Sequence, residues 1–339
     1  MQEERKMKRA GITAVAVSGG ILALNIAFFE GKERSDVTIS DKRITFISPM
    51  AADGYWEIIA DGIQEAAQEK DMDVKCIGFS ELDQELLIRY IREAILTQTD
   101  GIITAGMEDT GEMRQVLEEA KAAGIPVVLV DSDLPGSEKL CYVGTDNYEA
   151  GRKAGEDMVQ ACEGSGNILC LVSHQDTDNQ KQRMEGFCDV IETQRNMKIQ
   201  EILEGRSNEI YLEKRVIEAL EMHPEINAVF CAEGFGVEAM LDLIKNFPEQ
   251  YSSLKVVAFD IDNDDVSQAV QDGIVYSCIQ QDPRAMGCQA AQALASYIED
   301  GKKDFDNEYT QSISIRKDNR EQILDYSSGE VKWHIYENR

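Results

Sequence analysis

From Arg43 onward the sequence alternates short, wholly apolar runs with longer stretches of helical period, and this alternation leaves few folds open. Ile44-Thr45-Phe46-Ile47 is the first run, and Tyr55 to Lys70 follows it with Ile58, Ile59, Ile63 and Ala67 on one side. Val74 to Ile77, Ile102-Ile103 and Val127 to Val130 are further runs, separated by helical stretches over Leu82 to Thr97 and Met113 to Ala123. A run without polar alternation belongs to a strand covered on both faces, and strand–helix alternation builds a parallel sheet with helices on it. Gly124-Ile125-Pro126 ends one helix and restarts the chain as a strand.

The pattern breaks at Asp131 to Leu140 and then resumes. Tyr142-Val143 reads as a strand, Asn147 to Ala161 as a helix, Gly164-Ser165-Gly166 as a turn and Ile168 to Val172 as a strand. A second series runs through Val229-Phe230-Cys231 and Val256-Val257-Ala258-Phe259 to Ser277-Cys278-Ile279. Each series supplies four or five strands, and 339 residues are comfortable for two domains. The expected fold class is α/β, with two doubly wound parallel-sheet lobes. The helix over Pro283 to Ile298 returns late, which predicts more than one crossing between lobes and hence a multi-stranded hinge. The first lobe is expected to take 43–145 plus 282–304, the second 146–281 plus 305–319. Residues 320–339 form a C-terminal extension whose Trp333 and Tyr336 are expected to pack on the body.

Ahead of this body, residues 1–9 carry Arg5, Lys6, Lys8 and Arg9, and residues 10–29 form an uncharged stretch. As a helix, twenty residues span about 30 Å, the thickness of a bilayer core. The basic flank favours a cytoplasmic amino terminus. The apolar run ends in Phe28-Phe29-Glu30, without a small-x-small cleavage site or a lipid-accepting Cys. It therefore reads as one N-terminal transmembrane helix retained as a signal-anchor, with a cleaved export signal as the alternative, followed by a charged linker over 30–42, and the body is expected outside the cytoplasm.

The net charge of −29 repels phosphate backbones, so no nucleic-acid partner is expected. Of the eight cysteines, Cys76, Cys141, Cys170, Cys231 and Cys278 fall in or beside apolar runs, with no CxxC and no zinc-ligand spacing. Buried free thiols are the expected state. His174, His223 and His334 are the only histidines, and no HExxH, GxSxG or phosphate-cradling GxxxxGK[ST] occurs. His174 follows a strand, within reach of the cleft, and reads first as a polar loop residue. The carboxylate pairs Asp131/Asp133 and Asp260/Asp262 carry no sign of an acid, a base or a nucleophile. The reading is of a binding protein, not an enzyme, with no cofactor and no metal.

Polar or aromatic residues recur directly after apolar strands: Asp53, Tyr55 and Trp56, then Asp131, Thr145 and Asp146, Glu233, Asp260, and Gln281. In open parallel sheets the ligand lies beyond the carboxyl ends of the strands, so two facing lobes make a cleft there. Carboxylates and amides bond adjacent hydroxyls, and an aromatic face covers the C–H face of a sugar ring.

The segments ITFISPMAADGYWEIIADGIQEAA, AGIPVVLVDSD, YVGTDNYEAGRKAGEDM, QRMEGF, INAVFCAEG, VVAFD and IQQDPRAMGCQAA lie within about Lys42 to Lys317. Over that range the chain resembles the periplasmic ribose/galactose-type sugar-binding proteins of the type I periplasmic binding protein superfamily. Lactose-repressor-type regulators share their fold, but those begin with a helix-turn-helix rather than an apolar run. The resemblance implies ring-stacking positions at Tyr55 and Trp56 and a first-loop polar contact at Asp53. It also implies ligand contacts at Asp131, Arg183, Asp260 and Gln281. Three positions depart from the ribose binders: Ser132 replaces an arginine, Glu233 an asparagine, and Ala105-Gly106 an asparagine. The pocket gains a carboxylate and loses a cation, which puts ribose in doubt and brings in an amino sugar, another cation-bearing solute, a polyol or a differently oriented sugar. The function implied is capture of a sugar or sugar derivative by hinge closure, for an ABC permease. The alternative is a membrane-anchored sensing subunit that signals to a histidine kinase or another membrane receptor.

Overall fold

The computed structural model describes residues 42–51, 54–206, 209–261, 263–323 and 333–336. The apolar run 10–29 and Asp53 lie outside these residues, and no helix among the described residues is long and apolar enough to cross a membrane.

The first half runs β1 (Arg43–Ile47), α1 (Gly54–Gln68), β2 (Asp73–Phe79), α2 (Gln84–Leu96), β3 (Gly101–Thr104), α3 (Gly111–Ala122), β4 (Val127–Val130) and β5 (Cys141–Thr145). The second runs α4 (Asn147–Ala161), β6 (Ser165–Val172), α5 (Asp178–Ile191), β7 (Asn196–Glu204), α6 (Glu209–Met222), β8 (Ala228–Cys231), α7 (Gly234–Asn246), α8 (Pro248–Tyr251), β9 (Lys255–Phe259), α9 (Asp264–Asp272) and β10 (Val275–Gln280). Then come α10 (Pro283–Asp300), β11 (Glu308–Thr310), β12 (Ile313–Arg316), a 3-10 turn and β13 (Trp333–Tyr336). Short polar side chains start the helices by taking a backbone N–H of the first turn: Asp83 for α2, Thr110 for α3, Asp146 for α4, Asn263 for α9 and Asp282 for α10.

Two sheets form among the described residues, in the orders β11-β5-β4-β3-β1-β2-β13 and β12-β10-β9-β8-β6-β7. The cores β2-β1-β3-β4-β5 and β7-β6-β8-β9-β10 repeat one doubly wound order, all parallel. Only β12 runs antiparallel to its neighbour, β10. The strands are buried because helices cover both faces of each sheet. In the first lobe Phe46, Ile77, Ile103 and Leu129 share one core with Met286, Ala290 and Leu294 of α10. In the second, one core holds Leu171, Cys231 and Met240, and the other Met158, Phe187, Phe230 and Phe259.

The chain passes between lobes after β5, after β10 and between β11 and β12. The first two crossings are joined by the Thr145 hydroxyl, which donates to Gln281 Oε1 at 2.8 Å. The third is joined to α4 by Lys153 Nζ, which donates to the Ser312 carbonyl at 2.8 Å. Helix α10 returns to the first lobe, within the expected segment 282–304. β11 belongs to the first sheet through β5, so the last crossing falls after Thr310 and not near 305. In the extension, β13 adds to the outer edge of β2 with Trp333 opposite Cys76.

Strand β7 escaped the sequence pattern because it is an edge strand, only partly buried along its middle, and so lacks a continuous apolar run. The five cysteines in or beside the strands are buried, and all eight are free thiols. Burial pushes the Cys76 thiol up to about 11 and that of Cys141 to about 12, so both stay protonated.

Candidate functional site

At the carboxyl ends of the strands the lobes enclose a cavity of about 380 Å³. Tyr55, Trp56 and Asp131 line it from the first lobe, Arg183, Glu233 and Asp260 from the second, and Gln281 from the second crossing. The structure thus brings together seven of the eight sequence-derived candidates; the eighth, Asp53, lies outside the described residues.

Two walls correspond across the lobes. Asp131 directly follows β4 and Asp260 directly follows β9, the matching strands of the two sheets. Both adopt left-handed backbone, with φ of 67° and 65°. A non-glycine residue reaches that region at a cost that Asp and Asn bear best, and here it turns each carboxylate from strand end into cleft. The Tyr55 hydroxyl donates to Asp131 Oδ1 at 2.8 Å, and Asn179 Nδ2 donates to Oδ2 at 3.2 Å. Since Asn179 belongs to the second lobe, the latter bond spans the cleft. Tyr55 and Trp56 stand edge to face, with centroids 5.7 Å apart.

Arg183 is 2% exposed. Its Nε donates to Asn147 Oδ1 at 2.9 Å, Nη1 to the Ala232 carbonyl at 2.7 Å and Nη2 to Gln281 Oε1 at 2.9 Å. Its guanidinium carbon lies 4.3 Å from the centre of the Phe259 ring. Helix α5 carries Arg183 this deep because Gly186 lets it touch α4: a Cβ there would stand 2.0 Å from the Tyr148 carbonyl oxygen. Gly287 of α10 does the same against Ile59 of α1 in the other lobe, again at 2.0 Å. Gln281 Nε2 donates to Asp260 Oδ1 at 2.8 Å, so Arg183, Gln281 and Asp260 form a continuous network.

Burial raises the Asp260 carboxyl above its ordinary range, opposed by the Arg183 charge and the Gln281 bond. Glu233 caps α7, its Oε2 accepting from the Phe235 N–H at 3.0 Å. Burial nevertheless lifts its carboxyl to about 8, and the Asp260 charge adds to the rise. Two residues that line the cavity carry a buried oxygen with no partner in the protein: Glu233, through Oε1, on one lobe and Ser132, through Oγ, on the other. Buried polar atoms are ordinarily bonded, so this wall has the form of one that a polar guest completes.

Asn179, Gln180 and His174 also line the cavity. His174, read from the sequence as a polar loop residue, belongs to the wall. The run Asp176 to Gln180 looks in sequence like an ordinary helix start, so nothing local marked Asn179.

The periplasmic binding protein domain matches residues 44–303. The chain belongs to the periplasmic binding protein family. It is 26% identical, over 266 residues, to the galactofuranose-binding protein YtfQ of Escherichia coli K12, covering 75% of this chain and 81% of that one. It is 26% identical over 189 residues to a D-apiose import binding protein of Paraburkholderia graminis, covering 55% of this chain and 59% of that protein's length. The glucose-galactose binding protein GanP of Geobacillus stearothermophilus superposes with a TM-score of 0.78 at 25% identity, over 82% of this chain and 98% of GanP. XylFII, solved with LytSN, superposes with a TM-score of 0.75 at 29% identity, over 82% of this chain and 98% of XylFII.

Proposed function

We propose that this periplasmic binding protein captures a sugar or sugar derivative outside the cytoplasm, by closing its lobes around it, and presents it to an ABC permease. The observation that carries the reading is the wall itself. Ser132 on one lobe and Glu233 on the other, each with a buried oxygen that has no partner in the protein, line one cavity with two adjacent aromatic rings. A polyhydroxylated ring suits such a wall: its hydroxyls bond oxygens on both lobes and its C–H face lies on Tyr55 or Trp56. The cavity volume falls within the range of small-molecule sites, about 300–1,000 Å³. YtfQ, the apiose import protein and GanP are each named for a sugar, and this supports the same ligand class here.

Contacts to both lobes favour the closed form, and a permease reads that form. The chain acts as a binding protein and not as an enzyme, and residues 10–29 hold it to the membrane by an uncleaved helix. A second reading, in which the closed form signals to a membrane sensor kinase, draws on the similarity to XylFII only in that XylFII is solved in a complex with a second protein, LytSN. Crosslinking in cells followed by identification of the captured membrane protein separates the readings: a permease is expected, and a kinase alone would replace import by sensing. A thermal-shift screen of sugars, amino sugars and polyols tests the common core. At least one is expected to raise the melting temperature and to be recovered unchanged; a screen without any shift would defeat the reading, and turnover would make the protein an enzyme.

A further inference from the structure

The wall of the cleft is unbalanced in charge. Four carboxylates line it, those of Asp131, Glu233, Glu238 and Asp260, and among the described residues Arg183 is its sole lysine or arginine. The three Arg183 hydrogen bonds go to neutral acceptors: the Asn147 amide, the Ala232 carbonyl and the Gln281 amide. Asp131 accepts from Tyr55 and Asn179, and Asp260 accepts from Gln281. Glu233 differs. It is 8% exposed, and its Oε2 is used by the Phe235 N–H, while Oε1 has no donor. Around it stand Asp260 at the end of β9, Glu238 on its own helix α7, Arg183 on α5 and His174 after β6, with Tyr55 and Asp131 on the opposite lobe. An ionised carboxylate in this setting has no donor on Oε1, and the Arg183 charge that favours it is opposed by that of Asp260.

A neutral sugar leaves that deficit. Its hydroxyl can bond the carboxyl group but brings no charge, so Glu233 stays in its protonated form. A primary ammonium supplies three N–H donors and a positive charge, and a charge-assisted bond is stronger than a neutral one. We propose that the ligand of this cleft is a sugar carrying a protonated amine, and that the Glu233 carboxylate accepts from the ammonium with Asp260 on the same wall. The proposal rests on the sugar reading above and narrows it to a class. Arg183, Gln281 and the two rings then hold the hydroxylated remainder of the ring.

Isothermal titration calorimetry on the full-length protein tests it with three matched pairs: glucosamine and glucose, galactosamine and galactose, mannosamine and mannose. One amino sugar is expected to bind about tenfold or more tighter than its parent hexose at neutral pH. That preference is expected to vanish in Glu233→Gln. It should vanish equally in Glu233→Asn, which retains a good helix-capping residue and guards against a folding artefact. Repeating the titrations in buffers of different ionisation enthalpy reads the protons exchanged. The parent hexose is expected to leave the Glu233 proton in place, and the amino sugar to displace it, so that only the amine releases a proton to the buffer. Hexoses that bind as tightly as their amines, with Glu233→Gln unchanged, would overturn the proposal and leave the sugar reading standing. Failure of every sugar, charged or neutral, would remove both.

Discussion

Asp260 illustrates how much one residue does in this cleft. Its left-handed backbone turns the carboxylate inward, Gln281 donates to one oxygen, and Arg183 supplies the nearby charge. Asn tolerates the same backbone and keeps the shape, so Asp260→Asn removes charge with little strain. Ligand affinity is expected to fall about ten- to a hundredfold in calorimetry, the worth of one charged hydrogen bond, with the melting temperature of the empty protein nearly unchanged. Glu233 gives a prediction of opposite kind. Between about 4.5, its value in the unfolded chain, and about 8 in the folded one, the folded protein holds a proton that the unfolded chain has released. Stability therefore falls as pH rises through that window and does not depend on this group outside it. Without ligand, Glu233→Gln should melt above the parent, the gap widening from about pH 5 to about pH 8 and reaching about 2–4 °C. A gap that is flat with pH would show that the carboxyl titrates normally.

At the scale of elements, the repeat of one strand order in two sheets was legible because buried parallel strands announce themselves as unbroken apolar runs. Asp131, Glu233 and Asp260 were legible for the same reason, standing directly after such runs. What the pattern could not carry was anything set by contacts between distant segments. Asn179 reaches Asp131 only because the lobes meet, β7 is a half-exposed edge, and β11 and β13 extend the first sheet from the far end of the chain. The depth of Arg183 is also a matter of helix contact, through Gly186 on α5 against Tyr148 of α4. Gly186→Ala forces those helices apart. It is expected to cost about 1–3 kcal/mol in denaturant unfolding and to weaken ligand binding by shifting the guanidinium. A variant that binds and unfolds as the parent does would show that the helices separate without disturbing the site.

For the molecule as a whole, the Asn179–Asp131 bond ties lobe to lobe across the cavity. A bond of this kind contributes about 0.5–1.5 kcal/mol, or up to twice that with a charged acceptor, enough to shift a balanced open–closed equilibrium severalfold. Asn179→Ala is expected to enlarge the radius of gyration of the empty protein in small-angle X-ray scattering. Saturating ligand should restore the smaller value. An unchanged empty-state radius would mean that this contact does not govern closure.

Gln281 stands in one of the segments on which the lobes pivot, and its side chain is also part of the wall that meets the guest, bonded to Thr145, Arg183 and Asp260. The bearing and the cargo hold share a part. Gripping and swinging are therefore not separable here as they would be in a door with a remote hinge. Whatever loosens that amide alters dwell time and opening rate together.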